Sequence, residues 1–234
     1  MKALMDLVRE LSFVRTAGSA AEKKAAELIM GEIGRIAEET GREDIRGEYM
    51  TFRIPDAEVR KCSVRAAGRE LPCVPYLRSG NIEGEFGLVY LDGASEIDFA
   101  GLGSLEGKAV LLNGLTDEDV YKRLVEHKAS AFLTMQGKYY FSEEEASLYP
   151  RRLREHFTRN GVIPGFTITA ADALRLVQEE TDRVWLTLEQ EETEPESRNV
   201  SAVIEGSDLK EESIVLTAHY DSVPVGTGSW DNAT

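Results

Sequence analysis

Two strand-like segments on either side of one helical segment set the strongest limit on the fold of this chain. Residues 109–112 are a continuous apolar stretch of the kind found in buried strands, and residues 130–135 are a second predicted strand. The segment between them starts at Thr116 and carries apolar residues at helical spacing. Parallel strands joined through a helix form a right-handed unit. The chain is therefore predicted to be an α/β protein with a strand–helix–strand unit over residues 109–135.

The first 40 residues predict two helices. Apolar residues recur at intervals of three and four between Leu4 and Leu11, as on one face of a helix. Ser19 and Glu22 have the spacing of a capping box, and Gly41 is suited to end the helix that Ser19 begins. Residues 50–54 then alternate between apolar and polar, which predicts a half-buried strand.

The two cysteines are predicted to lie side by side. If Ala67 and Gly68 close a two-residue hairpin, Cys62 faces Cys73 on the opposite strand. Two cysteines are too few for a disulfide framework, and in a reducing compartment we expect two packed thiols.

The last 46 residues predict a boundary followed by two strands. Residues 189–196 contain five Glu and one Pro, which indicates a solvated linker. Residues 199–205 and 213–218 are predicted strands, and the second is apolar on both faces, like a central strand of a covered sheet. Two strands cannot enclose a core by themselves. We therefore expect this segment to be a fragment of a larger domain.

Composition excludes several functional classes. The formal charge of −15 disfavours a nucleic-acid partner, because phosphates require a basic surface. The sequence has no apolar stretch long enough to span a membrane, so no membrane partner is expected. Asp6, Arg9 and Glu10 interrupt the N-terminus and argue against a signal peptide, which favours a cytoplasmic location.

One group of residues has the pattern of a metal site. His219 and Asp221 lie two residues apart, so they share a face of an extended chain. A zinc-bound histidine needs an acceptor for its second ring nitrogen, and Asp221 is placed to provide one. Asp231 follows a Gly-rich turn and could bridge two metal ions. A histidine two residues from an aspartate is also common without a metal, so these residues alone leave both interpretations open.

The same segment resembles the co-catalytic zinc aminopeptidase family, which also includes glutamate carboxypeptidases and the transferrin receptor. The matching pieces are the apolar run that leads into His219-Tyr-Asp221-Ser-Val, the Gly-rich turn and Asp231-Asn-Ala. Residues 15–19 look like the opening segment of the family. The resemblance implies a partial zinc-peptidase α/β sheet, or α+β for the fragment, with an inserted β-rich protease-associated domain. It divides the chain into residues 1–47, an insert over 48–192, and residues 193–234.

The resemblance also implies roles for the three site residues. His219 would bind one zinc, Asp221 would orient His219, and Asp231 would bridge two zinc ions. A cis peptide would follow Asp231. The implied activity is that of a zinc metallo-aminopeptidase, which hydrolyses a peptide substrate with a free N-terminus by means of a two-zinc-activated water.

The family's catalytic Glu pair, a further acidic ligand and a final His would all follow Asp231, and the 234 residues do not contain them. We therefore expect the chain to be an inactive fragment with weak or absent zinc binding. His127, near a predicted helix end, and His156, among arginines, are poor substitutes. A di-zinc carboxypeptidase or amide deacylase and a non-catalytic protein-binding relative are the alternatives. Exposed strand edges would favour a homo-oligomer.

Overall fold

The structure is a computed structural model that describes residues 4–209, 211–229 and 231. The chain forms two compact units. The first consists of Met1–Pro55 and Glu194–Thr234, and the second of Asp56–Thr193. The division on the N-terminal side therefore falls eight residues later than the sequence suggested, because the strand over residues 46–53 pairs within the first unit.

The regular elements follow one another without long interruptions. The first unit contains α1 (Leu4–Glu10), α2 (Ala20–Thr40), β1 (Arg46–Arg53) and β11 (Glu196–Val203). The strands of the second unit are β2 (Asp56–Ala66), β3 (Arg69–Leu71), β4 (Cys73–Leu77), β5 (Ile82–Leu91), β6 (Lys108–Leu112), β7 (Ala131–Gln136), β8 (Arg151–Arg152), β9 (Gly165–Thr169) and β10 (Arg183–Thr193). Its helices are α3 (Glu96–Ala100), α4 (Glu118–Glu126), α5 (Glu143–Ala146), α6 (Glu155–Thr158) and α7 (Ala170–Gln178).

The start and the end of α2 confirm the predicted helix. The Ser19 hydroxyl accepts a hydrogen bond from the Glu22 N–H at 3.1 Å. The Glu22 carboxylate reaches back to the N–H of Gly18, at 2.6 Å, and so satisfies a donor just before the helix. Gly41 ends the helix at φ 64°, a left-handed conformation that glycine adopts without strain.

The prediction of a half-buried strand at residues 50–54 is wrong with respect to burial. The strand exists as β1 and pairs antiparallel with β11, from Arg46 opposite Val203 to Arg53 opposite Glu196. Every residue of β1 is nevertheless exposed. The reason is that the described residues supply only these two strands to the sheet.

The second unit is built on one nine-stranded mixed sheet. Its strand order is β3-β2-β10-β5-β6-β7-β9-β4-β8, and β5, β6, β7 and β9 run parallel. The strands β6 and β7 are joined through α4, as predicted for residues 109–135. The helix begins one residue later than expected, because Asp117 rather than Thr116 accepts the capping hydrogen bond from Val120. The predicted α/β class is confirmed.

Two apolar clusters make up the core of this unit. The first core cluster includes Val64, Leu71, Leu111, Leu133, Phe166, Ile168, Leu176, Val184, Leu186 and Leu188. The second core cluster includes Tyr76, Phe99, Leu105, Val110, Tyr121, Leu124, Phe132 and Leu153. Successive residues of β6 from Ala109 to Leu112 contribute to opposite clusters, which is why this run is apolar on both faces.

The acidic run at residues 189–196 is not a solvated linker over most of its length. β10 continues through it to Thr193 and pairs with β2. Glu189 and Glu191 form ion pairs with Lys61 and Arg60 of that strand, so basic side chains compensate part of the acidic charge. The run was misjudged because these partners lie more than a hundred residues away in the sequence.

The prediction of a central strand at residues 213–218 is also wrong. Residues 212–220 are extended or irregular, and no strand of the described part of the chain pairs with them. Ile214, Val215 and Leu216 are 93%, 78% and 91% exposed. An apolar run becomes a strand only where a neighbouring strand satisfies its backbone hydrogen bonds.

Replacement of Gly165 by Ala is expected to destabilise the second unit by about 1–3 kcal/mol through overpacking. A Cβ atom at this position would overlap the ring of Phe132. That ring is fully buried and lies 4.9 Å from the Tyr76 ring and 5.7 Å from the Tyr121 ring, so it cannot move aside. Urea unfolding followed by tryptophan fluorescence measures the change. Gly101→Ala is the control, since nothing lies within 4 Å of its Cβ position, and it should change stability by less than about 0.5 kcal/mol.

None of the helices in the described ranges is both long enough and apolar enough to cross a membrane.

Candidate metal centre

The structure brings the three predicted site residues together. The Nδ1 atom of His219 lies 3.0 Å from a carboxylate oxygen of Asp221. The Nε2 atom of the same ring lies 2.9 Å from a carboxylate oxygen of Asp231. The imidazole therefore bridges two carboxylates, although Asp231 is twelve residues further along the chain.

The three side chains are open to solvent. His219 is 53% exposed, Asp221 41% and Asp231 78%. Partial burial acts to lower the pKa of His219, but the hydrogen bonds with the two carboxylates outweigh it, and the pKa is raised above its ordinary value. In this arrangement both ring nitrogens are held by acceptors.

A buried arginine holds the segment that carries these residues. Arg15 is completely inaccessible to solvent. Its guanidinium donates only to backbone carbonyl oxygens, on both sides of the site. The acceptors are Leu11 at 2.6 Å, Phe13 at 3.2 Å, Thr227 at 3.0 Å, Gly228 at 2.9 Å and Tyr220. Arg15 thus ties the N-terminal segment to the backbone at Tyr220 and to the Gly-rich turn before Asp231.

The backbone of Arg15 adds a second connection to the same segment. Its N–H donates to the Ser222 hydroxyl at 2.9 Å, and its carbonyl accepts from the Ser222 N–H at 3.0 Å. The turn fits closely around the guanidinium, since a Cβ atom at Gly228 would lie 2.6 Å from an Arg15 nitrogen. Burial lowers the pKa of Arg15, and the charge of Asp221 opposes this effect.

From the sequence, Arg15 was assigned no role beyond membership of a segment that resembles the family. Its partners at Tyr220 and Gly228 lie more than two hundred residues away, so no local pattern could show the connection. The available signal was the resemblance of residues 15–19 itself. Arg15 is the residue of this site that the sequence interpretation missed.

Tyr220 provides a further connection on the side away from the imidazole. Its hydroxyl donates to the carbonyl oxygen of Arg198 in β11. Burial, followed by the nearby charge of Glu22, raises the pKa of Tyr220 to about 12. Glu22 is itself buried and accepts a hydrogen bond from Ser197 at 2.5 Å. Tyr220, which lies between His219 and Asp221, is therefore held to β11 by this hydrogen bond.

The donor atoms suit zinc. Imidazole nitrogen and carboxylate oxygen are common zinc ligands, and His219 Nε2 and Asp231 Oδ1 are already adjacent. The contact of Nδ1 with Asp221 is the carboxylate–histidine arrangement found around protein-bound zinc. No cluster of three or more His, Cys, Asp or Glu residues suited to a metal exists among the residues that the structure describes. His219 Nε2 and Asp231 Oδ1 are therefore the candidate ligands that the described residues offer here.

The other two histidines lie in the second unit and have structural contacts. His127 follows the last turn of α4, where its ring lies 5.1 Å from Phe99 and hydrogen-bonds the Gly103 carbonyl at 2.9 Å. His156 lies in α6 with its ring 4.4 Å from Phe157. The expected cis peptide between Asp231 and Asn232 lies outside the described residues.

Comparisons with known proteins show similarity to zinc peptidases. The model of peptidase family M28 matches residues 199–234, which include all three predicted site residues. A zinc aminopeptidase from Bacillus subtilis, BSAP, has a similar structure, with a TM-score of 0.72 at 25% identity over 99% of this chain and 54% of the other. No curated protein matches the sequence.

Two further solved structures share the fold. The aminopeptidase from Aneurinibacillus sp. strain AM-1 has a TM-score of 0.69 at 18% identity and is matched over 98% of this chain and 55% of its own. A peptidase M28 precursor from Shewanella amazonensis has a TM-score of 0.67 at 19% identity, over 100% of this chain and 57% of its own. The chain thus spans just over half the length of these relatives. The resemblance to the zinc aminopeptidases is therefore confirmed, by the match of the M28 family model to residues 199–234 and by the fold that the chain shares with these solved structures.

Proposed function

We propose that this chain supplies part of the active site of a two-zinc aminopeptidase. The observation that carries the proposal is the His219 ring between two carboxylates, with Asp221 at one nitrogen and Asp231 at the other. The match of the M28 family model to the same segment supports it. The names of the similar solved structures favour an aminopeptidase over other members of the family.

Each residue of the site has a distinct task in this proposal. When the Nδ1–H group of a neutral His219 ring donates a hydrogen bond to Asp221, the lone pair of Nε2 is free to bind a metal. Asp231 offers the second donor next to Nε2. Arg15 keeps the backbone of the two donors in place through the carbonyls of Tyr220 and Gly228. Bound zinc would supply Lewis acidity and a water of lowered pKa.

The complete site needs more ligands than these residues offer. A catalytic zinc normally has three protein ligands, and His219 and Asp231 provide one donor each. We propose that the remaining ligands and the general base come from residues outside this chain. On this account the 234 residues alone bind zinc weakly and hydrolyse no peptide.

The second unit is proposed to be the inserted protease-associated domain. Its place in the sequence supports this, because it separates two segments that form one unit. Its nine-stranded sheet is consistent with a β-rich insert.

The test is an activity assay on the polypeptide encoded by the full reading frame. We expect it to release p-nitroaniline from aminoacyl p-nitroanilides, to lose this activity on chelation and to regain it with zinc. The matched substrate is the same anilide with an acetylated amine, which should not be cleaved. Cleavage only of amine-blocked peptides with a free C-terminus would identify a carboxypeptidase instead. Activity that survives complete removal of the metal would contradict the proposal.

A further inference from the structure

The two cysteines of the second unit lie next to each other, Cys62 in β2 and Cys73 at the start of β4. The hairpin closed by Ala67 and Gly68 has the predicted register, with Val64 opposite Leu71 and Ala66 opposite Arg69. Extension of this register places Cys62 opposite Cys73, and their sulfur atoms are 3.8 Å apart. The predicted pair of packed, free thiols is thus present.

At this position two strands from opposite ends of the nine-stranded sheet come into contact. β2 and β4 are each second from an edge of the nine-stranded sheet, at opposite ends of the strand order. The two strands are nevertheless in contact, without a backbone ladder between them in the described part of the chain. The chain leaves β2 through the short strand β3 and passes Pro72 before β4 pairs with β9. Cys62 and Cys73 therefore lie on the two sides of the contact between β2 and β4, which has no backbone ladder. We call this contact the seam.

We propose that Cys62 and Cys73 are a redox-active dithiol whose oxidation to a disulfide fastens the seam between β2 and β4. This inference is independent of the proposed peptidase function. The observation that carries the proposal is the contact of the two sulfur atoms, which are 3.8 Å apart with no other atom needed to bridge them. A disulfide is about 2.0 Å long, so the sulfurs must approach by about 1.8 Å, which rotation about the Cα–Cβ bonds can provide.

The surroundings assign different tasks to the two sulfurs. The sulfur–sulfur contact, together with the Val64 N–H, lowers the pKa of the Cys73 thiol against the opposing effect of burial. The same contact and burial raise the pKa of Cys62. We assign Cys73 as the nucleophile, because the Val64 N–H faces its sulfur and would stabilise a thiolate, and Cys62 as the resolving thiol. Both side chains are half-buried against the first core cluster, so a small oxidant is required.

Hydrogen peroxide is an oxidant of suitable size. The Cys73 thiolate attacks one peroxide oxygen, the O–O bond breaks, and a sulfenic acid and hydroxide result. The Cys62 sulfur then attacks the Cys73 sulfur, the S–O bond breaks, and the hydroxyl leaves as water with the proton from Cys62. In total two thiols and one peroxide give one disulfide and two waters.

The proposal is tested by peroxide treatment of the 234-residue chain, followed by alkylation in denaturant and non-reducing tryptic mapping. We expect residues 62–65 and 70–78 to appear as one cross-linked peptide that dithiothreitol separates. Closing this short loop should raise the thermal midpoint of the second unit by about 5–10 °C, reversibly. Cys62→Ser and Cys73→Ser are the matched controls and should show neither the cross-link nor the rise.

Two results would overturn the proposal. One is the recovery of both cysteines of the oxidised wild-type chain as separate alkylated peptides. The other is their recovery as sulfinic or sulfonic acids without a cross-link, which would show that the thiols react independently. Both results come from the wild-type chain, so the test does not depend on the folding of the serine variants.

Discussion

Arg15→Met is expected to lower the free energy of unfolding of the first unit by about 3–5 kcal/mol. The guanidinium is fully buried and satisfies carbonyl oxygens of Leu11, Phe13, Tyr220, Thr227 and Gly228. Methionine fills a similar volume but donates no hydrogen bond. Each carbonyl left buried without a partner costs about 1–3 kcal/mol, less whatever water can recover. Urea unfolding followed by hydrogen exchange of peptides from α2 measures the loss.

Arg9→Met is the matched control for this variant. Arg9 lies in α1, and its guanidinium forms one exposed contact, with Asp6 at 2.9 Å. Exposed ion pairs of this kind contribute about 0–1 kcal/mol. We also expect Arg15→Met to accelerate hydrogen exchange across residues 219–229, because the turn loses its anchor. If Arg15→Met and Arg9→Met lowered the free energy of unfolding by the same amount, Arg15 would not be the residue that holds the site.

His219→Ala is expected to abolish the zinc binding that the chain retains, with a loss of at least about 100-fold in affinity. Asp221→Asn should have a smaller effect, about 10–100-fold, because this residue orients the ligand and does not bind the metal itself. Competition with a fluorescent zinc chelator measures both. His156→Ala is the control, since His156 packs on Phe157 in the second unit. A loss in the His156 variant as large as that in the His219 variant would contradict the assignment.

Features that depend on neighbours in sequence were predicted correctly. The cap of α2 at Ser19 and the hairpin at Ala67 and Gly68 need only a few adjacent residues to form, and both are present. The strand–helix–strand unit also follows from local patterns, because the spacing of its apolar residues changes from that of a strand to that of a helix and back within 27 residues. The class of the fold could therefore be predicted from the sequence.

Features that depend on distant partners were not predicted. The acidic run after Leu188 continues β10 because Arg60 and Lys61 face it from β2. The apolar run at residues 213–218 has the composition of a strand, yet it pairs with no strand in the described part of the chain. The composition of a segment shows whether it could form a strand. Whether it does so depends on a neighbouring strand that the rest of the fold must supply.

The three residues proposed as the site were found from the sequence, and the residue that holds their segment was not. His219, Asp221 and Asp231 lie within thirteen residues, and the alternation of an extended chain already placed the first two on one face. Arg15 contacts the same segment across 205–213 positions of sequence, which no local rule reaches. The pairing of His219 with Asp221 could thus be predicted, but the contact of Nε2 with Asp231 and the buried cation that holds the segment could not.

The most direct test of the partial metal site is zinc titration of the 234-residue chain, with metal analysis before and after dialysis against a chelator. We predict a single weak site that dialysis empties and that His219→Ala removes while His156→Ala leaves it intact. Two tightly held zinc ions per chain would contradict the account, because the described residues would then contain ligands beyond His219 and Asp231. Zinc binding that persists unchanged in the His219 variant would contradict it equally.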